Sequence, residues 1–305
     1  MFSGSTVRAA DQRALVLVIG AAGEPEYGEQ FMASADLWKR AGTNGGFKIS
    51  IVGESTNGGN DRAELLGLLT NEVARAGDDL WLVLIGHGTY DGRSAKFNLR
   101  GPDISADELA GALKACKRPL AVIDCASASG PFINALSAPG RVIITATKSG
   151  YEANATRFGN YLARDVADPA ADLDKDGQTS LLEAFLMASR QVDEFYKEAG
   201  RLATEHALID DNGDGLGTPS DWFHGVRAVK KAANGKSVDG IRANEMHLVR
   251  SANEQGLSLE LRAQRDALEA QLSALRDRKA QMSEDDYYKQ LEKILVKMAK
   301  LYEKE

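Results

Sequence analysis

The sequence predicts a doubly wound α/β fold with a mainly parallel sheet flanked by helices, and three observations carry that prediction. Apolar runs at 15–19, 80–85 and 120–123 lack polar alternation, the pattern of strands buried on both faces. Each run ends at a glycine or a polar residue (Gly20, Gly86, Asp124), where such a strand gives way to a loop. Segments with helical spacing lie between the runs, so strand and helix alternate along the chain.

Taken in order, the first strand at 15–20 leads into a helix near 28–41 and a second strand at 47–52. A helix near 62–76 precedes the third strand, 80–86, and another near 105–116 precedes the fourth, 120–125. A helix near 131–137, a fifth strand at 142–147 and helices near 158–166 and 181–196 complete a domain placed at 11–228. Small and charged residues around Lys230-Lys231-Ala232-Ala233-Asn234-Gly235-Lys236-Ser237 mark a linker at 229–256. Beyond it Leu261, Leu268 and Leu275 recur every seven residues, supported by Leu257, Leu272 and Met282. Ser283-Glu284-Asp285-Asp286 then starts a second helix that carries Tyr287, Leu291, Ile294, Leu295, Met298 and Leu301. The tail, 257–305, therefore reads as a helical hairpin that packs on itself or the core, or offers a face to a protein partner.

With 305 residues, 43% of them hydrophobic, the chain has room for one well-buried α/β domain and an appendage. A net charge of −7 and the lack of a basic face argue against nucleic-acid binding, which needs cations to neutralise phosphates. No apolar run approaches the ~18 residues of a membrane span. Two cysteines, Cys116 and Cys125, are too few for a disulfide framework. Val7-Arg8-Ala9-Ala10 has the look of the small-residue end of an export signal, so an exported chain, periplasmic or extracellular, is expected, with the signal itself absent from it.

In an open α/β sheet the ligand site lies beyond the carboxyl ends of the strands. His87 and Cys125 both fall there. Cys125 is followed by Ala126-Ser127-Ala128-Ser129-Gly130-Pro131-Phe132, too small and polar to continue the strand, so its thiol is expected at a strand-to-helix turn. There the first N–H groups of the next helix would favour a thiolate. His87 ends its strand in Gly86-His87-Gly88-Thr89-Tyr90. A thiol nucleophile needs a base that takes its proton and returns one to the leaving amine, and imidazole titrates in the useful range. Alone, a buried cysteine reads as core and a glycine-flanked histidine as a turn. Their shared position at the ends of two neighbouring strands makes them a candidate catalytic pair. His206, His224 and His247 have no partner at ligand spacing and read as surface or packing residues.

An apolar strand ending in His-Gly, followed 125 − 87 = 38 residues later by one ending in Cys and small residues, resembles the shared plan of caspases, legumains, gingipains and separases. Legumains are the nearest comparison. The segment 125–132 is similar to their Cys, small residues, Gly and aromatic; Thr145-Ala146-Thr147 followed by Glu152 resembles their next strand; and Tyr27-Gly28-Glu29-Gln30 sits like their Tyr-Arg-His-Gln. The resemblance covers residues 14–200. It implies a caspase-like fold, a cysteine endopeptidase acting on a protein or peptide substrate, and an oxyanion hole made by the N–H groups of Gly88 and Cys125. Where legumains have Asn-Tyr-Arg-His, this chain has Glu26-Tyr27-Gly28-Glu29, so the basic groups that hold an acidic or Asn side chain are missing. Caspases carry Gln and legumains Glu two positions before the cysteine; this chain has Ile123 there, and Asp124 next to the cysteine. Glu26, Glu29 and Asp124 are candidate pocket residues for a basic substrate side chain. The alternative is a catalytically inactive caspase-like module acting through its helical tail. A Gly-x-Ser-x-Gly elbow of the α/β hydrolases does not occur.

Residues 172–183 match the EF-hand calcium loop, with Asp172, Asp174, Asp176 and Gln178 as ligand positions, Gly177 at the sharp turn and Glu183 as the closing bidentate acid. Calcium is the cofactor this motif implies. Residues 210–221 match less well: Asp210, Asn212 and Asp214 are in place, but Asp221 stands where Glu is expected and Pro219 lies near the end. A second calcium site and an Asx-rich turn both remain open there.

Overall fold

A strand that is apolar on both faces needs cover on both, and the structure supplies it as helix, sheet and helix layers. A computed structural model describes residues 13–55, 59–75, 77–229 and 238–302. The first half runs β1 (Ala14–Ile19), α1 (Pro25–Asn44), β2 (Lys48–Val52), α2 (Asp61–Val73), β3 (Leu80–Ile85), β4 (Gly88–Tyr90), β5 (Ala95–Phe97), β6 (Ile104–Ser105), α3 (Ala106–Leu113) and β7 (Leu120–Asp124). There follow α4 (Pro131–Leu136), β8 (Arg141–Thr145), α5 (Phe158–Asp165), α6 (Leu181–Glu198), β9 (Leu208–Asp210), β10 (Thr218–Pro219), the short pair β11 (Phe223–His224) and β12 (Arg227–Ala228), and α7 (Ile241–Glu245).

Seven strands form the central sheet in the order β10-β9-β8-β7-β3-β1-β2, parallel from β8 to β2, with β9 and β10 antiparallel at one edge. Alternate side chains serve alternate layers. Leu15, Leu17 and Ile19 of β1, with Trp81 and Val83 of β3, pack under α1, α5 and α6. Ala14, Val16 and Val18, with Leu80, Leu82 and Leu84, pack under α2, α3 and α4. Trp38 of α1 meets Trp81 with ring centroids 6.3 Å apart, and both are fully buried. Truncating Trp38 to Ala would cost about 3–5 kcal/mol.

The doubly wound α/β sheet is the one read from the sequence, with two additions. Between β3 and α3 the chain makes a small antiparallel sheet, β4-β5-β6, and β9 and β10 extend the main sheet. Strands of two or three residues are too short to show a period.

β2 and β3 lie on opposite sides of β1, so the chain reverses direction across the sheet between β1 and β3. Crevices for ligands open at such switch points, beyond the carboxyl ends of the strands.

The first compact unit ends at Val249. Residues 238–249, placed in the linker on composition, therefore belong to it. Ala243, Met246 and Leu248 are buried in its core, and the Arg13 guanidinium, paired with Asp79 at 2.9 Å, also donates to the carbonyl of Leu248. The basic stretch 230–237 and Val7-Arg8-Ala9-Ala10 lie outside the described residues.

The second unit starts at Arg250 and holds α8 (Ala252–Gly256), α9 (Leu259–Asp277) and α10 (Glu284–Tyr302), the last two packed on each other as a hairpin. Leu268, Leu275 and Tyr287 are buried at its seam. No helix among the described residues is long and apolar enough to cross a membrane.

Candidate active site

β3 and β7 are parallel neighbours in register, Val83 beside Ile123 and Leu84 beside Asp124. Continuing that register sets Cys125 beside Ile85 with His87 just beyond, all on the face covered by α1 and α5. His87 and Cys125 line one small cleft, together with Tyr27, Gln30, Phe31 and Thr156. Its free volume is about 20 Å³, room for roughly one water molecule.

Aromatic edges hold the imidazole. Tyr27 and Phe31 meet the His87 ring at centroid distances of 4.6 and 5.1 Å with interplanar angles of 86° and 69°. Burial lowers the His87 pKa, and a hydrogen bond to the Ala22 backbone opposes that shift.

The thiol has packed surroundings. Cys125 is 5% exposed, and burial first, then the neighbouring Asp124 carboxylate, pushes its pKa up. Its side chain lies against Gly159 of α5, where an added Cβ would come within 2.5 Å of Cys125 Cβ and 3.0 Å of Sγ. Only glycine lets the helix approach that closely.

Three sequence expectations meet a different arrangement here. The helix that follows Cys125, α4, begins at Pro131, too far along the chain to stabilise a thiolate. The nearer helix terminus, α5, has the N–H groups of Arg157 and Phe158 taken by the buried Glu205 at 2.8 and 3.0 Å. Second, the expected oxyanion donors are engaged. The Cys125 N–H continues the sheet ladder to the Leu84 carbonyl at 3.0 Å, and the Gly88 N–H donates to Ser127 Oγ at 3.2 Å. Third, the expected pocket acids do not line the cleft. On α1 the positions 27, 30, 31 and 34 line the cleft, and the 3.6-residue period sets Glu26 and Glu29 to the side of that stripe, where they are exposed. Strand alternation turns Asp124 to the opposite face from Cys125. There it is 1% exposed, with Oδ1 accepting from the Ala126 N–H at 3.0 Å and Oδ2 unpartnered. Burial raises its pKa to about 7.

The contacts of several supporting residues, Glu152 among them, carried no sequence signal. Thr156 Oγ1 donates to the Cys125 carbonyl at 2.6 Å. Glu152 accepts the Ala128 N–H on its backbone carbonyl, while its carboxylate pairs with the His206 ring and the His206 N–H. These contacts join distant segments, so spacing could not reveal them.

The two acidic loops share one hydrogen-bond circuit. In the first, Asp172 accepts the N–H groups of Lys175 and Gly177, Asp174 that of Asp176, and Asp176 that of Gln178. In the second, Asp210 accepts those of Gly213 and Gly215, Asn212 that of Asp214, and Asp214 that of Leu216. The fourth and sixth positions take left-handed φ in both: +64° at Lys175 and +91° at Gly177, +74° at Gly213 and +77° at Gly215.

The loops are closed by different acids. Glu183 accepts from the N–H groups of Leu173, Asp174 and Ser180 and from Ser180 Oγ, completing a capping box on α6. In the second loop those places are filled by Asp239, which accepts from the N–H groups of Asp211 and Asn212 and from Thr218 Oγ1. Asp221, expected in that role, is exposed.

Asp172, Asp174 and Asp176 converge, each with a carboxylate oxygen within 4.8 Å of the others. Burial and the charges of Glu183 and Asp176 raise the Asp174 pKa. Crowded short carboxylates of this kind suit a hard divalent cation, which would relieve their repulsion. Glu183 stands outside that cluster and holds the loop's own N–H groups.

No family model matches the chain, and no curated protein matches it. Solved structures of two caspases overlap it loosely. The Drosophila initiator caspase Dronc does so at a TM-score of 0.42 and 13% identity, over 67% of this chain and 81% of that one. The caspase drICE does so at 0.40 and 10% identity, over 68% of this chain and 90% of that one. Overlap at this level assigns neither a family nor an activity.

Proposed function

We propose that this chain is a caspase-like cysteine endopeptidase in which His87 and Cys125 act as a catalytic dyad on protein or peptide substrates. The supporting observation is that both line one cleft at the switch point of the sheet, beyond the ends of adjacent parallel strands. His87 takes the Sγ proton, and the thiolate adds to the scissile carbonyl. The C–N bond then breaks as His87 returns the proton to the leaving amine, and water hydrolyses the thioester. Stabilising the oxyanion with the N–H groups of Gly88 and Cys125 requires them to leave Ser127 and Leu84 first. We further propose that Asp172, Asp174 and Asp176, with Gln178 and Glu183, hold calcium as a structural or regulatory cofactor.

The test is a peptide-library cleavage assay on Cys125→Ala, His87→Ala and Cys116→Ala. The first two are expected to lose activity by roughly 10⁴-fold or more with circular dichroism unchanged, and the third to retain it. Undiminished cleavage by Cys125→Ala would sink the dyad.

A second reading is favoured by the closed cleft, the buried thiol and the engaged N–H donors: a non-catalytic module that binds partners through its tail. The two separate on labelling. Iodoacetamide labelling of Cys125 that accelerates in the presence of a cleavable peptide supports the peptidase, whereas labelling of Cys116 alone, with no peptide cut, supports the module.

A further inference from the structure

We propose that Ser34 of α1 and Asn160 of α5 hold one ordered water beside the Cys125 thiol, and that this water supplies a hydrogen-bond donor for the thiolate. The water site rests on the cleft alone, and its part in catalysis on the dyad proposed above. Both α1 and α5, which pack on one another, line the cleft. Ser34 is 3% exposed. The other serine and threonine hydroxyls within α1, α2 and α6 donate to the carbonyl four residues back: Thr43 to Lys39 at 2.7 Å, Thr70 to Leu66 at 2.8 Å and Ser189 to Phe185 at 2.7 Å. Ser34 makes no such bond, and its hydroxyl, on the wall of the cleft, has no partner among the described residues. The Asn160 side chain on the α5 wall has none either. Buried polar groups are ordinarily paired, and with both of these lining a space of about 20 Å³ the group that fits is one water.

A water in this place suits the thiol. If it accepts from the Asn160 amide N–H and the Ser34 O–H, it keeps both of its own protons to donate, one of them to Sγ. Gln30, one turn before Ser34 on the same wall, offers its amide oxygen to the other. Sγ has no donor among the described residues, and the two influences on its ionisation, burial and the Asp124 charge, both oppose the thiolate. The titratable groups around it are Tyr27 from α1, His87 at the end of β3, and Asp124 across the sheet. α5 and the loop before it bring no charged side chain to the cleft wall, and no lysine or arginine lines it. A neutral donor is therefore what the site can offer. When His87 takes the Sγ proton, the water stabilises the charge left behind. Ser34 and Asn160 are thus positioning residues, acting through the water.

Two measurements test this. A high-resolution crystal structure of the full chain should show one water within hydrogen-bond distance of Ser34 Oγ and Cys125 Sγ. In solution, with Cys116→Ala removing the other thiol, iodoacetamide should alkylate Cys125 about tenfold more slowly in Ser34→Ala than in its parent, the whole pH–rate profile moving up by about one unit. Should that variant unfold, Asn160→Ala provides the same readout. Loosened packing would expose the thiol and quicken labelling, so a slower rate separates loss of the donor from loss of structure. A crystal structure without that water, a Cys125 that is never labelled, or labelling as fast or faster in both variants would each overturn the proposal. Peptide cleavage is followed separately. The water with slowed labelling but no peptide cut would uphold the proposal and overturn the peptidase, and cleavage lost in Cys125→Ala without such a water would do the reverse.

Discussion

The two acidic loops of the first unit are alike in backbone circuit and unlike in how the circuit is closed. Glu183 stands 10 residues after Leu173, whose N–H it accepts, and is carried into place by the first turn of α6. Asp239 stands 28 residues after Asp211, whose N–H it accepts, and arrives from a separate segment. Asp211 returns the contact by accepting the N–H groups of Gly240 and Ala243 at the start of α7. The same segment reaches the first loop, where Ser180 Oγ donates to the Asn244 side chain and the Leu181 N–H to the Met246 carbonyl. A local loop thus forms once its helix forms. The second needs the chain from 239 to 247 to dock first, which makes it a reporter of tertiary structure.

The comparison sharpens most under truncation. Glu183→Ala strands three buried backbone donors, Ser180 Oγ keeping Asn244 as acceptor, and Asp239→Ala two backbone donors and the Thr218 hydroxyl. At about 1–3 kcal/mol per buried unpaired group, less what water recovers, urea unfolding should show losses of about 4 and 3 kcal/mol respectively. An Asp239→Ala variant as stable as wild type would remove the equivalence of the two acids.

Calcium comes next in size. A cation bound only by the folded state stabilises it by about 2.7 kcal/mol at a hundredfold excess over Kd. Adding a chelator to calcium-loaded protein should lower the melting temperature, and Asp176→Asn should abolish most of that response. An identical melt with and without calcium, on protein shown to be metal-free at the start, would refute the cofactor.

A smaller effect follows pH. Burial raises the Asp239 pKa to about 7 from an ordinary value near 3.8, with the Asp211 and Asp210 charges adding to it. The folded state therefore holds this proton more tightly than the unfolded chain, so the contribution of Asp239 to stability is full below about pH 4 and is lost as pH rises through 7. In chelator, Asp239→Asn should flatten that decline by on the order of 2 kcal/mol. A slope unchanged in Asp239→Asn would assign the titration elsewhere. Smallest of all, Asp221→Ala should alter stability by under about 0.5 kcal/mol, as exposed positions do; a loss matching that of Asp239→Ala would restore Asp221 as the closing acid.

The cleft repeats the lesson at other residues. The apolar runs made β1, β3 and β7 legible, and strand ends bounded by Gly86 and Asp124 brought His87 and Cys125 to one place. The acids at 26, 29 and 124 were misplaced because proximity in sequence says little about which face a side chain takes. The helix period set Tyr27, Gln30 and Phe31 along the cleft in place of Glu26 and Glu29, and strand alternation buried Asp124 beneath the opposite layer.

By itself the sequence determined whatever is set within a turn or a strand: the order of β and α elements, the hairpin seam from Leu268 to Tyr287, the loop chemistry of 172–183 and the ends at which His87 and Cys125 stand. These follow from periodicity and from donors and acceptors a few residues apart. Tertiary structure alone decided the contacts between distant segments: Glu205 on the N-terminus of α5, Gly159 against the thiol, Ser127 on the Gly88 N–H, and Asp239 as the closing acid of the second loop. A buried donor must find an acceptor wherever the packed chain brings one, and spacing along the sequence carries no record of which one that will be.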